Sequence, residues 1–141
     1  MAKLIRGAFV VLVLPDGKVV LQRRTPHAPT SPGLLFLYGG RVENCEGHLH
    51  AIKRELSEET SLSVNDVKLT PLNEYAVSHK EIAGRKDRYI YIYQANINSA
   101  DFKTHEGVGP EVYTIEDALK REDLVTTARY ALMAYLEARN G

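Results

Sequence analysis

Between residues 39 and 62 the chain reads Gly-Gly-Arg-Val-Glu-Asn-Cys-Glu-Gly-His-Leu-His-Ala-Ile-Lys-Arg-Glu-Leu-Ser-Glu-Glu-Thr-Ser-Leu. With Glu55 at zero on a helical wheel of ~100° per residue, Glu58 falls at about −60° and Glu59 at about +40°, so three carboxylates share one face. Like charges one turn apart repel by a few tenths of a kcal/mol per pair, so the arrangement calls for a cation to offset it. A bare acidic face is by itself usually a solvated surface; a divalent metal would offset the crowding, and the residues around the helix decide between the two. On the same wheel Cys45, Leu49, Ile52 and Leu56 fall between about 60° and 120°, an apolar stripe that predicts a buried face beside the acidic one. Cys45 on that stripe reads as a small buried hydrophobe, because no nearby base marks it as a nucleophile. Carboxylate oxygen is a hard ligand. Mg²⁺ takes one or two such groups, keeps several waters and leaves other positions to substrate phosphates, so phosphate chemistry follows from the ligand type.

Upstream, Gly39-Gly40 lets the backbone approach a ligand closely, as no Cβ intervenes. Glu46 lies near the helix start, where the dipole favours negative charge, and Arg54 is placed to pair with carboxylates on the helix. Together these residues fit one spaced pattern: Gly, five residues, Glu, seven residues, Arg-Glu, apolar, any, Glu-Glu, any, Gly, apolar. Here it is occupied by Gly40, Glu46, Arg54, Glu55, Leu56, Glu58, Glu59, a departure at Ser61, and Leu62, matching eight of nine specified positions over 23 residues.

This stretch resembles the Nudix hydrolase signature. The resemblance implies an α/β chain with the Nudix-type α/β/α sandwich, a mixed β-sheet and a catalytic loop-helix-loop, forming one domain over residues 1–141. It implies Mg²⁺-dependent hydrolysis, with Mn²⁺ as a substitute, of a diphosphate linkage in a nucleoside diphosphate derivative. The metal would be held by the Gly39 carbonyl with Glu55, Glu58 and Glu59, and Glu55 would also orient or deprotonate water. Arg54 and Glu46 would orient those groups, and Gly40 would admit substrate. In members that cleave nucleoside triphosphates, a glutamate before a glycine in a late loop reaches back to the metal; Glu106 is the matching position and Glu111 the alternative. Many members have Pro where Tyr38 stands, and Gly where Ser61 stands. A helix ending in the left-handed conformation favours Gly, so Ser61 there would cost about 1 kcal/mol or make the helix end differently.

With 141 residues the chain is long enough to bury a sizeable core without disulfides, and its single cysteine allows no intrachain bridge. Eighteen Lys and Arg balance eighteen Asp and Glu, which argues against a broad surface for a nucleic-acid polymer and leaves a small phosphorylated nucleotide as the expected partner. No apolar run reaches the ~18 residues of a membrane span, and the N-terminal apolar run stops at Pro15, so a cytoplasmic protein is expected. A homodimer is left open.

In chain order, residues 4 to 14 predict a strand buried on both faces, and Pro15-Asp16-Gly17-Lys18 predicts a turn into a second strand, Val19 to Arg23. Arg23 and Arg24 close that strand, where guanidinium forks meet phosphate or solvent; in similar enzymes an arginine of this strand faces the nucleotide. Thr25 to Gly33 holds three prolines and reads as a surface loop, followed by a short apolar strand, Leu34 to Leu37. His48, near +20° on the wheel, is either an outer-site residue or a surface histidine. Residues 66 to 78 predict a strand interrupted at Pro71, and His79 to Asp87 a polar connection. Arg88 to Ile97 alternates as a central strand, with Tyr89, Tyr91 and Tyr93 on one face, capping a core or stacking a base, and Arg88 a candidate phosphate or base contact. A short helix begins near Thr114 or Ile115, and an amphipathic helix covers Thr126 to Arg139.

Substrate markers of related groups are missing. The ADP-ribose type often has a proline about fifteen residues past the signature, and the diadenosine polyphosphate type a tyrosine a little further; Ala76, Val77, Ser78 and His79 stand there. The segment Arg24 to Pro29 lacks the coenzyme A pattern. By elimination a nucleoside triphosphate or a nucleotide sugar is expected. The alternative is a nucleotide-binding sensor or partner module of the same fold with little turnover; sensors of that kind usually lose signature carboxylates, and here all are kept. An isomerase on this fold would want a reactive cysteine, for which Cys45 is a poor candidate.

Overall fold

Strand β1 (Ile5–Val13) is the axis of the sheet, because nearly every residue after Gly7 is buried on one face or the other. The computed structural model describes residues 4–77 and 87–141. β1 runs parallel to β6 (Arg88–Asn96) and antiparallel both to β2 (Val19–Arg23) and to β4 (Tyr38–Arg41). β2 in turn pairs with β3 (Leu35–Phe36) and with β7 (Gly109–Tyr113), and β6 pairs with β5 (Leu69–Val77) through a bulge at Pro71 to Asn73. Pro71 has no N–H for the ladder, so the irregularity sits where the sequence predicts an interruption.

Helices cover both faces. Val11, Val13, Leu21, Ile90 and Ile92 pack under α2 (Ile115–Lys120) and α3 (Thr126–Asn140), through Ile115, Ala118, Ala128, Ala131 and Leu132. Ala8, Val10, Leu12, Val20 and Tyr93 pack under α1 (His48–Glu59), through Ala51, Ile52 and Leu56. The alternation of β6 therefore divides as expected, isoleucines to one core and Tyr93 to the other. This is the expected α/β/α sandwich with a mixed sheet. Thr114 caps α2 by accepting from the Asp117 N–H at 3.1 Å. Among the described residues no helix is long and apolar enough to cross a membrane.

The apolar stripe is corrected at two positions, and of the two outcomes expected at Ser61 the altered helix end is the one found. Cys45 is exposed and sits at φ +64° in the turn before α1, and Leu49 is 42% exposed. The helix begins only at His48, so Cys45 cannot belong to its stripe; the buried arc runs through Ala51, Ile52, Leu56 and Glu59, which puts Glu59 inside it rather than beside it. Ser61 carries no left-handed strain, since among the described residues only Ser31 and Cys45 are non-glycines at positive φ. The helix instead leaves through Thr60 in extended conformation, whose hydroxyl donates to the Leu56 carbonyl at 2.7 Å. Residues 78–86, which hold the marker positions Ser78 and His79 and all but the last residue of the connection expected from His79 to Asp87, lie outside the described residues.

Candidate active site

The two glycines at 39 and 40 bring β4 against β1 on one side and α1 on the other. A Cβ on Gly39, at φ +137°, would sit 2.2 Å from the Ala8 carbonyl oxygen, and one on Gly40 would sit 2.6 Å from the Glu55 carboxylate. This close approach lets the Gly39 N–H donate to Glu59 Oε1 at 2.8 Å. The other Glu59 oxygen faces Gln22 Nε2 at 3.4 Å, an amide that also donates to the Leu37 carbonyl at 2.7 Å. Glu59 is only 4% exposed. Burial pushes its carboxyl up to about 8, against the Gly39 N–H, with the Glu55 charge adding to the rise. Glu55 is raised as well, first by burial, with Arg54 opposing and the charges of Glu58 and Glu106 adding.

Arg54 organises the acidic helix. Its Nε and Nη2 donate to the two oxygens of Glu46 at 2.7 and 3.0 Å, a bidentate pair. Nη1 donates to Glu55 at 3.1 Å and to Glu58 at 3.3 Å, and Nη2 also reaches the Arg41 carbonyl at 2.9 Å. The pairing holds the Glu46 carboxyl down at about 2, with the Glu43 N–H and His50 assisting. Glu46 thus ties the loop before α1 to the helix.

Glu55, Glu59, Gly39 and Gly40 line a cavity of about 330 Å³, and Glu106 lines it too, near enough for its charge to raise both carboxyls. The Glu106 loop is pinned on both sides: the His105 N–H donates to the Glu59 carbonyl at 2.6 Å, and the Val108 N–H to the Arg23 carbonyl at 2.8 Å. Ile5, Phe9, Phe36 and Ile90 supply an apolar wall, with Phe9 and Phe36 stacked at 5.0 Å, and Arg6, Arg24, Arg41 and Arg88 bring positive charge. Glu58 does not line this cavity; its side chain is 52% exposed and meets Glu55 only through the shared Arg54 nitrogen.

Two expectations fail on geometry. Arg23 does not face the cavity: Nε and Nη2 bind both oxygens of Glu111 at 2.8 Å, while Nη1 binds Asp123 at 2.7 Å and the Gly33 carbonyl at 3.1 Å. Those carboxylates hold its pKa well above the ordinary arginine value, and Glu111, held down by the same pair, is withdrawn as an alternative to Glu106. Along a strand neighbouring side chains point to opposite faces, so Arg24, not Arg23, reaches the cavity, anchored on Thr30 at 2.7 Å.

Gln22 and Arg41 were not identified from sequence. A polar residue among buried neighbours in β2 is a usable signal for Gln22, whereas Arg41 is one of many arginines until the sheet register is known. Tyr38, in place of the family's usual Pro, is fully buried and shares a hydrogen bond of 2.9 Å with the Thr104 hydroxyl. His48 lies away from the cavity, stacked on Tyr91 at 4.1 Å and hydrogen-bonded to the Tyr93 hydroxyl.

Among the described residues no three carboxylate, histidine or cysteine side chains converge into a complete metal cage. Two desolvated carboxylates on a cavity that a third also lines are nonetheless an all-oxygen donor set, suited to an ion that keeps waters and takes phosphate oxygens.

Residues 3–135 match the NUDIX domain family. Among solved structures the chain is similar to the MutT protein from Methanosarcina mazei Go1, at 20% identity over 99% of this chain and 98% of that one, with a TM-score of 0.78. It is similar to the E. coli dihydroneopterin triphosphate pyrophosphohydrolase, at 14% identity over 94% and 95% of the two chains and TM-score 0.77. A C. elegans Ap4A hydrolase gives 20% identity over 97% and 98%, with TM-score 0.75. At these identities the likeness is one of fold. No curated protein matches the chain.

Proposed function

We propose that this chain, which belongs to the NUDIX domain family, is a single-domain hydrolase that cuts the diphosphate linkage of a nucleoside diphosphate derivative, a nucleoside triphosphate or a nucleotide sugar. The observation that carries the reading is the pair Glu55 and Glu59, both desolvated, both raised in pKa, and both on a cavity that Glu106 also lines. Carboxylates gathered on a cavity that arginines also line suit a divalent cation together with an anionic substrate. The solved relatives whose names give a substrate act on a pterin triphosphate and on Ap4A, which supports a phosphoanhydride as the bond cleaved.

Mg²⁺, or Mn²⁺ in its place, would be held by Glu55, Glu59 and the Gly39 carbonyl, with Glu58 at the exposed rim and Glu106 from its loop. Held there, a divalent ion supplies neutralisation of phosphate charge and acidification of water. The chain's own groups do the rest. Glu55 accepts the proton of the attacking water, a task suited to a carboxylate on the cavity wall whose pKa burial raises above the ordinary value. Arg54 fixes the Glu55 carboxylate, and Glu46 fixes Arg54. Gly40 leaves the Glu55 oxygens uncovered, Gln22 and the Gly39 N–H orient Glu59, and Arg24 meets phosphate.

The test is release of phosphate or pyrophosphate from nucleoside triphosphates, nucleotide sugars, ADP-ribose and dinucleoside polyphosphates with Mg²⁺, comparing wild type with Glu55→Gln and Glu59→Gln. Turnover of one class that collapses in both variants is expected. A substrate that raises the melting temperature without turnover would favour a binding module instead.

A further inference from the structure

Of the four arginines on the cavity, two are tied to backbone: Arg6 donates to the Glu43 and Glu46 carbonyls at 3.3 and 3.4 Å, and Arg24 to Thr30 at 2.7 Å. The guanidiniums of Arg41 and Arg88 have no hydrogen-bond or ion-pair partner among the described residues. The sheet register puts them together. Gly7 of β1 pairs with Arg41 of β4, and Ile5, two residues earlier on the same face, pairs with Arg88 of β6. Directly paired residues project to one face, so both arginines stand on the same side of three adjacent strands, roughly 12 Å apart at Cα from strand spacing and rise.

Between them Gly7 has no side chain and the Phe9 ring lies over it, so close that a Cβ there would sit 2.9 Å from the ring; Ile5, Phe9 and Ile90 make the apolar lining of the cavity that both arginines share. Two unpaired cations over an apolar floor repel one another, and an oxyanion between them removes that repulsion while accepting from both forks. The carboxylates that line the same cavity, Glu55, Glu59 and Glu106, belong to the part where the scissile diphosphate is read to lie, and Glu55 is already bound to Arg54.

We infer that Arg41 and Arg88 form an anion clamp for a second anionic group, a phosphate or a carboxylate, carried by the substrate beyond the diphosphate that is cut. The inference rests on the hydrolase reading for the position of the diphosphate. It selects, among nucleoside diphosphate derivatives, those with a charged distal part over those ending in a neutral sugar.

The experiment uses two matched pairs in the same Mg²⁺ buffer. UDP-glucuronate against UDP-glucose adds a carboxylate, and ADP-ribose 2′-phosphate against ADP-ribose adds a phosphate. Wild type is expected to prefer the anionic member of at least one pair by on the order of tenfold in kcat/KM, the scale of a charge-assisted hydrogen bond. In the Arg41→Gln, Arg88→Gln double variant the ratio should fall toward one, and Arg→Lys at both positions should restore part of it. Calorimetric binding of the same four compounds reads the same ratio without turnover. Binding preference for an anionic member, lost in the double variant and unaccompanied by hydrolysis, would keep the clamp and sink the hydrolase reading. Absence of an anionic preference in both measurements, or a preference that survives in the double variant, overturns the clamp.

Discussion

Glu59 is a carboxylate that the fold keeps largely out of water, and its thermodynamics follow from that. Its folded-state value of about 8 lies above the ordinary 4.5, so between those values the native state binds more protons than the unfolded chain. Stability of the metal-free protein should therefore fall as pH rises from about 5 to 8, with Glu55 acting in the same direction. Glu46 behaves oppositely: held down at about 2, it contributes stability above 4.5 that is lost as pH falls toward 2. The two windows do not overlap. Thermal melts from pH 5 to 8 in chelator are expected to show a declining Tm for wild type and a flatter profile, higher at pH 8, for Glu59→Gln, whose turnover should drop about a hundredfold. An equal slope in the variant would remove Glu59 as its cause. Arg54→Ala leaves Glu46 without its bidentate partner and should lower the denaturant midpoint, with the loss greatest at neutral pH and shrinking as pH falls toward 2; an unchanged midpoint would remove the pair as a tie between loop and helix.

At the scale of elements, the end of α1 decides how the acidic helix meets the Glu106 loop. Ser61 stands where the family pattern has Gly, yet its backbone is not left-handed, and its hydroxyl accepts from the Lys103 N–H at 2.8 Å while its own N–H donates to the Lys103 carbonyl at 2.9 Å. Restoring the pattern with Ser61→Gly should therefore destabilise, by about 1 kcal/mol, through the lost hydrogen bond and the freer unfolded chain. A gain in Tm would mean that the helix end is strained after all. Tyr38 acts on the same seam, with its ring buried and its hydroxyl on Thr104. The Gly39-Gly40 stretch, which reads from sequence only as a place of close approach, is part of a strand because β1 offers it an antiparallel edge at Phe9 and Ala8.

At the scale of the molecule, Arg23 joins β2 to β7 through Glu111 and to the segment before α3 through Asp123, where Arg121 also binds at 2.9 Å. The network lies away from the cavity and fastens the α2 and α3 side to the sheet. Arg23→Gln should lower stability by about 2–3 kcal/mol, leaving Glu111 and Asp123 short of a partner, while KM stays near the wild-type value. A large rise in KM with unchanged Tm would return Arg23 to the substrate.

Local chemistry was legible wherever it depended on spacing along the chain. The pattern from Gly40 to Leu62, the strands at 5–13 and 88–96 and the helix at 126–140 follow from periodicities that neighbouring residues impose on one another. The same spacing brought Glu55, Glu58 and Glu59 to one helix face, but the depth of each in the protein depends on how the helix rolls against the sheet. That roll buried Glu59, exposed Leu49 and left Glu58 at the rim. The partners of Arg23, the contact of Gln22 with Glu59 and the pairing of Arg41 and Arg88 across Gly7 join residues far apart in sequence. Sequence determined the composition of the acidic helix; strand register and helix packing decided which of its charges face the cavity, because burial and pairing are properties of neighbours in space.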